Sequence, residues 1–114
     1  MINKLNNISK NIRKNILKLS FKAKSSHIGS SLSIVEILVA LYFKIINKKD
    51  KFILSKGHAA LALYCTLYEK KIISLKTLNS YGEDGTILMN HVSNKVKGVN
   101  FSTGSLGHGL PVSV

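Results

Sequence analysis

Asp50-Lys-Phe-Ile-Leu-Ser-Lys-Gly-His-Ala-Ala-Leu-Ala-Leu-Tyr64 packs three patterns into one short stretch. Phe52-Ile-Leu54 is an apolar run bounded by Lys51 and Ser55, which predicts a short buried strand. Ser55-Lys-Gly-His58 reads as a turn. A helix is expected from about Ala59 to Lys70, with apolar residues on almost every side.

Upstream, Leu5, Ile8, Ile12, Ile16 and Leu19 recur at helical spacing, so residues 1–22 form a leading amphipathic helix. Lys4, Lys10, Arg13, Lys14, Lys18 and Lys22 fill its other faces. Lys24 to Ser31 is a polar loop. Ser33-Ile-Val-Glu36 then matches a capping box, in which the Ser oxygen accepts a backbone N–H and the Glu reaches back. The helix it opens would bury Ile34, Ile37, Leu38, Leu41, Tyr42 and Ile45. Downstream, Ser74 caps a short helix to Ser80, and Tyr81-Gly-Glu-Asp-Gly85 is a turn-rich break. Residues 86–100 have little periodicity. A glycine-rich loop follows, Ser102-Thr-Gly-Ser-Leu-Gly-His-Gly-Leu110, and Pro111 suits the first turn of a further helix.

The 114 residues suit one small domain, and the net charge of +12 suggests a phosphorylated ligand or a polyanion. Lysine, asparagine and isoleucine dominate throughout, so part of that basicity reads as coding bias. Nucleic-acid binding would need exposed aromatics for stacking. Tyr42, Phe43, Tyr64 and Tyr68 sit instead in apolar helical runs. Cys65, the single cysteine, reads as a small buried hydrophobe, and no disulfide can form within one chain. The longest uncharged apolar run, Ile37 to Phe43, is far short of the ~20 residues of a membrane helix. The expectation is a soluble cytoplasmic protein without a membrane partner.

Four histidines occur, and none has the spacing of a metal motif such as H-E-x-x-H, so no metal ligand is assigned. His27, His58 and His108 each have a glycine within two positions, at a break between predicted elements. Loop ends concentrate binding residues. Glycine admits close backbone approach, and imidazole donates to phosphate oxygens near neutral pH.

Four segments, in order, resemble the transketolase family of thiamine-diphosphate enzymes. They are SSHIGSSLSIVEILVALY (25–42), DKFILSKGHAALALY (50–64), NHVS (90–93) and GVNFSTGSLGHGL (98–110). The resemblance implies an α/β fold: a partial thiamine-diphosphate-binding fold, with helices around a short parallel sheet, incomplete at the C-terminus. Residues 1–114 would be the N-terminal part of a pyrophosphate-binding domain. The same resemblance places His27 and His91 in catalytic roles at the substrate and His58 at both cofactor and substrate. Gly104, Ser105 and Leu106 would lie against the cofactor rings, with the Gly104 carbonyl facing the aminopyrimidine. Ile28 stands where many relatives have Pro, His91 lacks the usual flanking Gly and Pro, and His108 stands where Gln is common.

The function so implied is the transfer of two-carbon ketol units between sugar phosphates, using thiamine diphosphate. Mg²⁺ would anchor the diphosphate through ligands beyond this chain. The partner would be a second copy or a complementing C-terminal subunit, and the piece is expected to be inactive alone. Alternatives are a deoxyxylulose-phosphate synthase-like enzyme, a keto-acid dehydrogenase subunit, or a small basic nucleic-acid-binding module.

Overall fold

A computed structural model describes residues 1–100, 102–103, 107 and 109–114. The leading helix α1 spans Ile2–Ala23. Its apolar stripe faces inward as the spacing predicts: Ile12 and Ile16 are fully buried, Leu19 nearly so, and Leu5 and Ile8 pack at the edge. The helix ends in a left-handed residue, Lys24 (φ 52°), and the Ser25 N–H closes the turn on the Ser20 carbonyl at 3.1 Å. Lys22 fastens this end to the break after residue 79, donating to the Asn79 carbonyl at 2.6 Å and to Glu83 at 2.9 Å.

The segment expected as a polar loop is partly helical. Helix α2 spans Ile28–Ser33 and α3 spans Val35–Ala40. The break between them is Ile34, at φ −109° and ψ 4°. No capping box forms there. The Ser33 hydroxyl donates to the Ser30 carbonyl and accepts from Lys56, while Glu36 pairs with Arg13 of α1. That guanidinium hydrogen bond holds the Glu36 carboxyl below its ordinary value. Long-range partners thus outcompete a local cap.

The break also rotates the buried face. Val35, Leu38, Val39 and Tyr42 point inward, while Ile37 is 60% exposed, against expectation. After α3 the chain widens into a π-helical turn, Leu41–Ile45, closed by the Ile46 N–H on the Leu41 carbonyl at 2.8 Å. The wider turn defeats a 3.6-residue count, and Ile45 ends up facing solvent.

The predicted parallel sheet is absent: among the described residues there is no strand, and every regular element is helical. Phe52–Leu54 lacks the backbone ladder that defines a strand. The Phe52 carbonyl accepts from the Asn100 side chain at 3.3 Å, and the Leu54 carbonyl from the buried Thr103 hydroxyl at 2.5 Å. Side chains take the bonds that a neighbouring strand would make.

A 3₁₀ turn, Gly57–Ala59, leads into α4, Ala60–Glu69. From Ala60 to Leu67 every residue of α4 is buried. Such a helix belongs at the centre, and α4 packs against α1, α2, α3 and the short α5, Leu75–Asn79. Cys65 lies fully buried in it, and burial pushes its thiol pKa up. The Thr66 hydroxyl, also buried, donates to the Ala62 carbonyl at 2.8 Å. Helix α5 starts as predicted, with Ser74 Oγ accepting from the Thr77 N–H at 3.1 Å. Replacing Ser74 with Ala should cost about 1 kcal/mol, read as a melting temperature lower by about 4 °C. A last helix, α6, spans Gly109–Ser113.

Candidate functional site

Three histidines from distant parts of the sequence meet at one surface. The His27 and His58 ring centroids are 5.2 Å apart, edge to face, and those of His27 and His91 are 5.7 Å apart. His27 stands at the N-cap of α2 with φ 67°, a left-handed conformation that costs a non-glycine residue on the order of 1 kcal/mol or more. The strained residue is the central member of the group. His58 is the middle residue of the 3₁₀ turn, half-buried at the mouth of α4.

His91 belongs to an irregular segment that long-range hydrogen bonds hold in place. The Tyr64 hydroxyl donates to the Met89 carbonyl at 2.8 Å and reaches the His91 carbonyl at 3.4 Å. The Val92 N–H donates to the Gly57 carbonyl at 3.2 Å, which sets His91 beside the turn that carries His58. Thr103 extends the same seam, its N–H donating to the Val92 carbonyl at 3.3 Å.

Gly104, Ser105 and Leu106, the expected ring-contacting residues, lie outside the described residues, as does His108. Their described flanks are close to the histidine turn. A Cβ at Gly57 would stand 2.5 Å from the Thr103 carbonyl oxygen, and one at Gly109 would stand 2.5 Å from Ser55 Cα. Both ends of the glycine loop therefore abut the Ser55–His58 turn.

The groups that act on His58 are one ammonium and two further imidazoles, with no carboxylate among them. Desolvation, then the charges of His27, Lys56 and His91, push its imidazole pKa below the ordinary 6.5. Among the described residues, no group of His, Cys, Asp or Glu could hold a metal ion. Three imidazoles suit an oxyanion such as a diphosphate, because each can donate and none brings negative charge, and the Lys56 ammonium beside them adds positive charge without being a ligand. A concavity of about 500 Å³ lined by Tyr42, Ile46, Lys48, Phe52, Lys70 and Asn100 contains none of the histidines.

Three residues of this site escape a reading by sequence. Lys56 and Thr103 bond to residues far along the chain, and no local pattern marks them. Tyr64 sits in an apolar run and reads as core. Its phenol was the available signal, since a buried Tyr hydroxyl needs an acceptor. Of the aromatics in the apolar helical runs, Tyr42 and Tyr64 are buried and Phe43 and Tyr68 half-buried, so none of the four is a free stacking platform for nucleobases; among the described residues Phe21, on α1, is the exposed exception. No helix among the described residues is long and apolar enough to cross a membrane.

Comparison with known proteins gives a consistent result. Residues 5–114 match the family model described as transketolase, thiamine diphosphate binding domain. The chain is 43% identical over 111 residues to an apulose-4-phosphate transketolase subunit of Phocaeicola vulgatus, covering 90% of this chain and 40% of that protein. It is 36% identical over 113 residues to the 6-deoxy-6-sulfo-D-fructose transketolase subunit SqwG of a Clostridium species, with 90% and 41% covered. Identity to the transketolase of Pongo abelii is 30% over 118 residues, covering 96% of this chain and 19% of that one. The chain spans about two fifths of the length of the first two relatives.

Proposed function

Since the chain belongs to the transketolase family through its thiamine-diphosphate-binding domain, we propose that it is the N-terminal part of that domain in an enzyme transferring two-carbon ketol units between sugar phosphates. The observation that carries this reading is the gathering of His58 and His91 around His27, their ring centroids 5.2 and 5.7 Å from its own. Thiamine diphosphate, when bound, supplies the electron sink that lets a carbon–carbon bond beside a carbonyl break and re-form. This chain's own task is to bind, orient and move protons. His58 donates to a phosphate oxygen of the cofactor and faces the substrate. His27 and His91 orient sugar hydroxyls and exchange protons with them through their ring nitrogens. Gly104, Ser105 and Leu106 keep, by resemblance, the role of lining the cofactor rings.

Mg²⁺ would take its ligands from outside this chain, as would the partner functions. Three of the similar proteins are named as one subunit of a transketolase, which favours a complementing second polypeptide over a self-sufficient chain. The chain alone is then a binding piece without turnover, and its expected place is the cytoplasm.

Titration of the 114-residue chain with thiamine diphosphate, followed by the NMR signals of its histidines, tests the reading. The ligand should perturb the rings of His27, His58 and His91. His27→Ala and His58→Ala should each weaken binding on the order of ten-fold, the usual loss for one charge-assisted hydrogen bond. An anion stabilises the imidazolium, so the bound His58 midpoint lies above the free one, itself below 6.5. Affinity therefore rises as pH falls from the bound midpoint through the free one. Binding that leaves the histidine signals unmoved, or that tightens as pH rises, overturns the assignment.

A further inference from the structure

Lys56 ties together the two elements that carry His27 and His58. Its ammonium donates to Ser33 Oγ at 2.9 Å and approaches the Ser30 carbonyl at 3.4 Å. The Ser33 hydroxyl in turn donates to the same Ser30 carbonyl at 2.9 Å. Ser30 and Ser33 lie in α2, whose N-cap is His27, while Lys56 is the N-cap of the 3₁₀ turn that carries His58. Among the described residues these are the only side-chain hydrogen bonds joining α2 to that turn, and Lys56 has no carboxylate partner.

We propose that Lys56 is a positioning residue: its clip on Ser30 and Ser33 sets the separation of His27 and His58. This rests on the ligand site read above, and it adds a residue that touches no ligand to make its contribution. The geometry gives the mechanism. Helix α2 is short and broken from α3 at Ile34, so its own hydrogen bonds do little to fix where its N-cap points. A cross-link at its far end holds the whole element against the turn. The cation that makes the link also stands among the imidazoles, with His27 and His91 the other titratable groups that act on His58. One side chain thus controls both spacing and charge.

The test is NMR of the ligand-free full chain with labelled histidines. Wild type should show a through-space contact between the His27 and His58 rings. Lys56→Met should lose that contact and shift the His58 midpoint upward, because a positive neighbour has gone. Lys56→Arg, which keeps charge and donors, should retain both. Ser33→Ala keeps the Lys56 charge but removes its acceptor, so the ring contact should weaken while the His58 midpoint stays low. Should Lys56→Met fail to fold, Ser33→Ala decides. Unchanged ring contact in the folded Met variant, or in Ser33→Ala when the Met variant does not fold, overturns the proposal. The ligand reading fails separately: wild type that does not respond to thiamine diphosphate, with ring contact still dependent on Lys56, refutes the ligand and leaves the clip.

Discussion

Tyr64→Ala should lower stability by about 3–5 kcal/mol, a large share of the roughly 5–15 kcal/mol that holds a domain of this size. The ring is fully buried in α4, the helix on which α1, α2, α3 and α5 converge. Its centroid lies 6.3 Å from that of Tyr81, a tilted aromatic pair whose packing vanishes with it. The hydroxyl does a separate job: at 2.8 Å it is the donor to the Met89 carbonyl, so its loss strands an acceptor. Tyr64→Phe isolates that job, and should cost about 1–2 kcal/mol. The Phe variant should also release the segment carrying His91, seen as loss of ring contact between His27 and His91. Urea denaturation of wild type, Phe and Ala variants checks the ranking. A Phe variant as unstable as the Ala variant would mean that the hydroxyl, not the ring, anchors this part of the core.

Local physics explains what the sequence made legible. The stripe from Leu5 to Leu19 needed only 3.6-residue periodicity, and the Ser74 cap needed only its own next three residues. The failures lie where a distant partner decides. Ser33 and Glu36 satisfy every local condition for a capping box, yet Lys56 and Arg13 claim their side chains from elsewhere in the chain. Phe52–Leu54 has the composition of a strand, but a strand exists only by pairing, and Asn100 and Thr103 reach its carbonyls first. Ile37 and Ile45 belong, by spacing, to a continuous helical face that Ile34 and the π-helical turn interrupt. For the site, glycine-flanked breaks pointed to His27 and His58, and resemblance alone pointed to His91. The hydrogen bonds that assemble them, from Tyr64, Val92 and Lys56, have no signature in local sequence.

The same kind of distant contact makes Gly57 the most demanding backbone position at the site. Gly57→Ala should destabilise the chain by about 2–4 kcal/mol, combining overpacking with a lost hydrogen bond. An added Cβ would stand 2.5 Å from the Thr103 carbonyl oxygen and 2.7 Å from its carbon. These are backbone atoms, which cannot swing aside as a flexible side chain could. Thr103 would have to retreat, and its hydroxyl would then leave the Leu54 carbonyl it meets at 2.5 Å. The Val92 N–H bond to the Gly57 carbonyl would strain as well, and with it the placement of His91 beside His58. Gly29→Ala provides the contrast. It lies in α2, two residues after His27, and a Cβ there meets nothing within 4 Å. That substitution should stabilise by about 0.5–1 kcal/mol, because alanine loses less backbone freedom in a helix. Thermal and urea unfolding of the two variants should therefore move in opposite directions. If Gly57→Ala melts with wild type, residues 57 and 103 do not make the close approach that sets the glycine loop against the histidines. The site would then need another way to bring its two halves together.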